Sequence, residues 1–210
     1  MTEASAAKRP YAARLPAPQR REQLLAAAQE IALSRGFHAV SIDGVARACG
    51  VTRPVVYGAF ADRTALLTAM LDRAEQRVLA QLAEVFPPVP GVHDDVDPDV
   101  LLVDGITAYL TAITQDPDTW RVILVPPEGA PAELAERVTA QRRVQLRTLR
   151  GLLEWGLARR GGPAVDADLF ARSVFTLAEG AGRLLLEHPG RWTVEELAGF
   201  ARTVLAALRP

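Results

Sequence analysis

The chain contains very little cysteine and histidine, the side chains that most often bind metals. Its 210 residues include one cysteine, Cys49, and three histidines that lie far apart: His38, His93 and His188. A single cysteine excludes an intramolecular disulfide and a cysteine-based metal cluster. The sequence also lacks a glycine-rich phosphate loop and a serine elbow motif. We therefore expect no metal, no cofactor and no enzyme activity.

Long hydrophobic runs are also missing from the sequence. No run approaches the roughly 20 residues that a membrane-spanning helix needs, and residues 1–21 lack the apolar centre of a secretory signal. Hydrophobic residues nevertheless make up 49% of the chain, which is enough for the core of a globular protein. These features predict a cytoplasmic protein without a membrane partner.

Charge is distributed unevenly along the chain, although the formal net charge is only −1. Residues 1–63 contain nine Lys or Arg and five Asp or Glu, whereas residues 64–210 contain 15 basic and 20 acidic residues. A basic end and an acidic body suit a protein that presents one end to a polyanion. Residues 1–18 are predicted to form a flexible basic arm, although a disordered tail without a partner explains their composition equally well.

The segment from Ser41 to Phe60 has the pattern of two short helices joined by a tight turn. Four apolar residues recur at the spacing of one helix face: Ile42, Val45, Ala46 and Cys49. Ser41 is a suitable cap for the first helix, and Gly50 permits the left-handed conformation that ends it. The sequence therefore predicts two consecutive helices that enclose a sharp glycine turn.

The second helix is predicted to begin at Thr52 or Arg53. Pro54 lacks an amide hydrogen and fits the first helical turn, where that donor has no partner in any case. In a helix-turn-helix module, the first residues of the second helix contact base edges in the major groove. This segment is therefore the candidate for sequence recognition.

Spacing assigns the two sides of the second helix. Val56 and Phe60 lie four residues apart and are expected to face the core of the domain. Arg53, Val55 and Tyr57 are then expected to point outward. An outward valine and tyrosine indicate a surface that meets a partner.

The run from Ser41 to Leu67 resembles the DNA-binding domain of the TetR family of bacterial regulators. The resemblance depends on Gly50-Val51-Thr52, Tyr57, Phe60 and the segment from Asp62 to Leu67. It covers about the first third of the chain, since the regulatory domains of the family vary widely in sequence. The resemblance implies an all-α fold with an N-terminal three-helix DNA-binding domain and a C-terminal helical ligand-binding and dimerisation domain.

The resemblance also implies positions that contact DNA. Tyr57 and Thr52 correspond to family contacts with the sugar-phosphate backbone, and Ser41 and Arg63 fall at two further phosphate contacts. Together with the base-reading positions, the expected DNA-binding residues are Ser41, Thr52, Arg53, Pro54, Val55, Tyr57 and Arg63. The alternative for Arg63 is a side chain that extends into solvent. Gly58 departs from the family pattern, which has a bulkier residue there.

Composition and helical spacing, together with the resemblance, divide the chain into three regions. These are the arm at residues 1–18, the helix-turn-helix DNA-binding domain at residues 19–63, and the ligand-binding and dimerisation domain at residues 64–210. A long helix from Arg63 to about Leu82 is the predicted route for a signal between the domains. A connector rich in proline and aspartate, residues 87–98, follows it.

The C-terminal region contains large side chains that suggest a ligand pocket between its central helices. The candidates are Tyr109, Trp120, Leu124, Trp155 and Phe175, with Glu179 as a polar anchor. The other interpretation of each side chain is an ordinary core residue. The resemblance implies a small-molecule effector, and these side chains indicate an apolar one.

The last two long helices have more apolar surface than one core requires. The candidate dimer contacts are Phe170, Val174, Leu177, Ala181, Phe200 and Val204. By the resemblance, these helices pair with those of a second copy as a four-helix bundle. Two identical heads would then read half-sites about 34–36 Å apart.

The whole sequence predicts a homodimeric, ligand-responsive regulator of transcription that binds double-stranded operator DNA. More specifically, we expect a repressor that a small molecule releases from its operator. Two other classes remain open. One is a small-molecule carrier or enzyme with an incidental helix-turn-helix, and the other is a nonspecific architectural DNA binder, which the acidic body disfavours.

Overall fold

The computed structural model describes residues 15–85, 97–126, 129, 132–160 and 165–207, and these residues form helices without any strand. This confirms the predicted all-α fold. The predicted arm and the connector at residues 87–98 lie mostly outside the described residues. Among the described residues, every helix is too short or too polar to span a bilayer.

The chain divides into two compact units, Met1–Met70 and Leu71–Pro210. The first contains α1 (Ala17–Arg35), a 3₁₀ turn (Phe37–Ala39), α2 (Ile42–Ala48), α3 (Arg53–Tyr57) and the beginning of α4 (Arg63–Val85). The division falls within α4, so this helix contributes residues to both units. Since α1 begins at Ala17, the last residues of the predicted arm belong to this helix.

Small helices in the first unit enclose a tightly buried core. Its fully buried side chains include Leu24, Phe37, Val40, Val45 and Val56. Phe60 is only 3% exposed, so the prediction that Val56 and Phe60 face the core is confirmed. Burial of apolar groups, more than intrinsic propensity, stabilises helices as short as α2 and α3.

The turn between α2 and α3 has the predicted chemistry. The Ser41 hydroxyl accepts a hydrogen bond from the Gly44 amide at 3.0 Å and so caps α2. Gly50 has a φ of +64°, a conformation that glycine adopts without a steric penalty. The Val51 amide then donates to the Ala46 carbonyl at 2.9 Å, which closes the turn.

In the described part of the second unit, the remainder of α4 is followed by five further helices. These are α5 (Pro98–Gln115), α6 (Pro117–Leu124), α7 (Ala132–Arg160), α8 (Ala167–Glu187) and α9 (Val194–Ala207). α7 packs on α8, while α5 packs on both α8 and α9.

Gly182 lets α8 approach α5 and α6 closely. A Cβ atom at this position would lie 2.6 Å from Cδ1 of Ile113 and 3.1 Å from Cδ1 of Leu124. Both of those side chains belong to the core of the unit, as does Trp120. The absent side chain therefore fixes how near the three helices lie.

Candidate nucleic-acid interface and ligand cavity

The outer side of α3 is exposed, as predicted. Val55 and Tyr57 are 40% and 54% exposed, and Thr52 and Pro54 are also exposed. Thr52 is the N-cap residue of α3, but its hydroxyl does not bond the helix amides. That hydroxyl is therefore not engaged in capping, and an apolar and aromatic surface lies beside it.

Arg53 is exposed on α3, but its guanidinium forms an ion pair with Asp43 of α2. This pair links the two helices of the motif across their turn. Both side chains remain substantially exposed, so the pair is weak and solvent can replace it. The sequence analysis missed Asp43, although an acidic residue in the first turn of α2 is a favourable match to the helix dipole.

Arg63 donates two hydrogen bonds to backbone carbonyls. Its Nε donates to the Val40 carbonyl and its Nη2 to the Phe37 carbonyl, each at 2.7 Å. The guanidinium thus holds the segment between α1 and α2 against the start of α4. The residue as a whole remains exposed, although its guanidinium is bonded to the backbone. The phosphate contacts of Arg63 and Ser41 stay predictions.

Arg21 of α1 holds the chain that follows α3. Its Nη1 donates to the Ala59 carbonyl at 3.0 Å, and its guanidinium lies 4.5 Å from the centre of the Phe60 ring. A cation over an aromatic face adds an electrostatic attraction to the hydrogen bond. The sequence analysis missed these contacts of Arg21, because they join residues far apart in the chain.

The second unit encloses a cavity of about 390 Å³. Five of the six predicted ligand residues line it: Tyr109, Trp120, Leu124, Phe175 and Glu179. Whether they bind a ligand stays a prediction. Side chains of α4 complete much of the apolar wall, namely Leu71, Val78, Leu79 and Leu82.

Trp155 does not line the cavity, so that prediction is wrong. The wall on α7 ends at Leu152, and Trp155 lies about one turn beyond it. There the Arg159 guanidinium lies 5.2 Å from the centre of the tryptophan ring. The aromatic side chain of Trp155 suggested a pocket residue. The sequence could not show how far the cavity extends along α7.

Charged side chains in the cavity wall are paired with one another. Nε of Arg142 lies 2.6 Å from Oε1 of Glu179, and Nη2 of Arg183 lies 3.4 Å from Oε2 of the same carboxylate. Arg137 pairs with Asp72 and with Glu75 of α4. The sequence analysis identified Glu179 but missed its arginine partners, because a helix rich in arginine usually has a solvated face.

Tyr109 and Trp120 meet edge to face inside the cavity. Their ring centres are 5.3 Å apart and the planes are at 89°. The Trp120 indole nitrogen donates to Oε1 of Gln81 at 2.7 Å. Burial, and secondarily the negative charge of Glu179, raise the pKa of the Tyr109 hydroxyl, so it remains protonated.

The predicted dimer residues fall into two groups. Leu177, Phe200 and Val204 are exposed by 64%, 66% and 37%, as an interface requires. Val174 instead lines the cavity, and Phe170 and Ala181 are half-buried. The outward face of α8 includes Leu169 and Leu184, which the sequence analysis missed. The residues chosen from the sequence therefore mix exposed and inward positions, because both sides of α8 are apolar.

Comparisons with known proteins match this architecture. Residues 24–70 match the model of a family described as bacterial regulatory proteins, tetR family. The HTH-type transcriptional activator FasR of Mycolicibacterium smegmatis is 31% identical over 110 residues, which cover 52% of this chain and 48% of FasR. A solved TetR-like transcriptional regulator from Rhodococcus sp. RHA1 has a TM-score of 0.72 at 21% identity, covering 91% of this chain and 96% of that chain.

A further solved structure is AibR in complex with isovaleryl coenzyme A and operator DNA. It has a TM-score of 0.67 at 18% identity and covers 88% of this chain and 97% of that chain. At these low identities, the two solved structures show only the fold of this chain and not its function. The chain spans about half the length of the curated relatives it matches.

Proposed function

Because residues 24–70 match the model of the tetR family of bacterial regulatory proteins, we propose that the chain is a member of that family and regulates transcription by binding operator DNA in response to a small molecule. The observation that carries this proposal is the exposed outer side of α3. Val55 and Tyr57 expose apolar and aromatic surface on a helix whose other side is buried. This proposal assigns the protein no catalytic step and places its action in the cytoplasm, where bacterial DNA lies.

DNA recognition is proposed to combine base and backbone contacts. The first residues of α3 would read base edges, whereas the Thr52 and Tyr57 hydroxyls would bind phosphates. Arg53 could bind DNA instead of Asp43, because its ion pair with Asp43 is exposed to solvent and can be exchanged. An operator guanine or phosphate that takes over this arginine would compete directly with the carboxylate.

We propose that the functional form is a homodimer. Both α8 and α9 have exposed apolar side chains that a second copy would cover: Leu169, Leu177, Leu184, Phe200 and Val204. A monomer would offer only one short recognition helix and would therefore bind weakly. Two linked heads gain affinity through their effective concentration.

The ligand response is proposed to begin at α4. This helix supplies Arg63 to the first unit, and its Leu71, Glu75 and Val78 side chains line the cavity in the second. A ligand that fits only one arrangement of these side chains shifts the population of conformers by its difference in affinity for them. AibR, which has been solved in complex with both isovaleryl coenzyme A and operator DNA, supports a response of this kind.

Repression is the specific form of regulation that we propose. A dimer bound to a promoter blocks access to it, and a ligand that favours the unbound conformer releases it. FasR, by contrast, carries the name of an activator. A reporter gene under the chain's own upstream region separates the two, because deletion of the regulator raises expression under repression and lowers it under activation.

The proposed function is tested by titrating the purified chain into fluorescently labelled DNA from the upstream region of its own gene. The comparison is random DNA of equal length, at a fixed salt concentration, since affinity depends on salt. We expect at least about a thousandfold preference for the upstream region. Equal affinities would favour an architectural DNA binder, and no binding to either would favour a carrier.

A further inference from the structure

We infer that the cavity of the second unit takes an uncharged, mainly hydrocarbon molecule with one oxygen that accepts a hydrogen bond from Tyr109. The role of that molecule as an effector rests on the proposed function. Its binding is a separate property that can be measured without DNA.

The size of the cavity sets the size of the ligand. An apolar cavity of about 150 Å³ is known to hold benzene, so the roughly 390 Å³ here corresponds to about two to three such rings. The surrounding wall is largely hydrocarbon and aromatic, with Val78, Leu82, Ile106 and Phe175 among its members. A molecule of about two rings, or an aliphatic equivalent, fits this space.

The charges of the wall select against an ionic ligand. Arg142 pairs with Glu179 at 2.6 Å, and Arg137 pairs with Glu75 at 3.4 Å. A carboxylate or ammonium group would have to break one of these pairs or remain unpaired beside hydrocarbon, and both are unfavourable. The other polar groups that line the cavity are uncharged: Gln141, Gln145 and Thr148.

The Tyr109 hydroxyl is the donor that a ligand oxygen would meet. This oxygen lies 3.4 Å from the place that a Cβ atom on Gly182 would take, so it is buried against α8. Among the described residues it has no hydrogen-bond partner, whereas the Trp120 indole is already bonded to Gln81. Buried donors are rarely left unpaired in proteins, which favours a ligand group as the missing acceptor.

The test uses four two-ring probes that differ only in their polar group: benzophenone, diphenylmethane, diphenylacetate and diphenylmethylammonium. Their binding to the full chain is measured by isothermal titration calorimetry. We expect benzophenone to bind about 2- to 10-fold more tightly than diphenylmethane, through one hydrogen bond. Diphenylacetate and diphenylmethylammonium should bind at least about tenfold more weakly than benzophenone.

A variant identifies the donor. Tyr109→Phe should reduce benzophenone binding to the level of diphenylmethane while leaving diphenylmethane unchanged. Trp155→Phe is the matched control, because Trp155 lies outside the cavity wall, and it should change neither probe. The inference is overturned if no probe binds, if diphenylacetate or diphenylmethylammonium binds most tightly, or if Tyr109→Phe keeps the preference for the ketone.

If Tyr109→Phe folds poorly, the inference is still tested, because the ranking of the four probes is measured on the unsubstituted chain. The DNA titration described above is run on the same preparation without probe. DNA binding without probe binding overturns this inference alone. Probe binding without DNA binding instead overturns the proposed function and leaves the ligand class intact.

Discussion

Three arginines of the first unit have different kinds of partner. Arg53 pairs with a carboxylate, Arg63 bonds two carbonyls, and Arg21 bonds a carbonyl and covers an aromatic ring. The sequence predicted correctly that Arg53 is outward, since helical spacing determines direction. It did not predict the partners, because each lies at least ten residues away in the chain and is brought close only by folding.

Asp43 is expected to restrain Arg53 from binding DNA. Asp43→Asn removes the ion pair and one negative charge beside the recognition helix, so random DNA should bind about 2- to 5-fold more tightly at low salt. The slope of log affinity against log salt should steepen by about one. In the Arg53→Ala background, the same change should have a smaller effect. An equal effect in both backgrounds would show that the pair does not restrain the arginine.

Arg63 is expected to be required for stability through its geometry as well as its charge. Lysine keeps the charge but lacks the fork that reaches the Val40 and Phe37 carbonyls together. Arg63→Lys should therefore lower the free energy of unfolding by about 1–2 kcal/mol in urea titrations. Its salt slope for DNA binding should remain unchanged. A stable variant with a reduced slope would instead assign Arg63 mainly to phosphate binding.

At the scale of elements, the sequence predicted the helices well and their faces less well. Caps and turns depend on neighbours in the chain, so Ser41 and Gly50 were interpreted correctly. Val174 and Trp155 were misplaced because α7 and α8 are apolar on more than one side. Which side meets the cavity depends on how the helices pack together, and no local pattern contains that information.

Gly58 and Gly50 offer a matched pair of substitutions around α3. Gly58 has φ −66° and ψ −20°, and a Cβ there would make only ordinary contacts. Gly58→Ala should therefore raise the melting temperature by about 1–3 °C, through a smaller entropy of the unfolded chain.

Gly50 also has room for a Cβ, but its φ is +64°. Gly50→Ala should lower stability by about 1–2 kcal/mol for conformational reasons alone. Differential scanning calorimetry of both variants measures the contrast. Equal effects of the two substitutions would contradict the assigned role of backbone conformation at this turn.

For the whole molecule, the sequence predicted a pocket and a dimer interface. It did not show which apolar residues of α8 belong to the pocket and which belong to the interface. The cavity takes Val174, while the outward face of the same helix has Leu177 exposed. Cavity residues and exposed residues can be told apart only in the folded unit, because positions close together on α8 face either the cavity or solvent. The paired arginines of the cavity wall were unpredictable for the same reason.

The outward face of α8 and α9 is expected to hold two copies together. Phe200→Asp places a charge where the phenyl ring is 66% exposed, so it should not disturb the core. Sedimentation equilibrium should show a monomer for Phe200→Asp and a dimer for the unsubstituted chain. Leu101→Asp is the control on α5, where the side chain is 39% exposed, and it should remain dimeric. A dimeric Phe200→Asp would place the interface elsewhere.

The most direct test of DNA recognition by α3 compares two valine substitutions by fluorescence anisotropy with the upstream DNA. Val55 is 40% exposed on α3 and Val100 is 53% exposed on α5. Val55→Glu brings a negative charge against the phosphates and should weaken binding at least a hundredfold, by about 2.7 kcal/mol, without changing the melting temperature. Val100→Glu should bind as the unsubstituted chain does. Full DNA affinity in Val55→Glu would contradict the account.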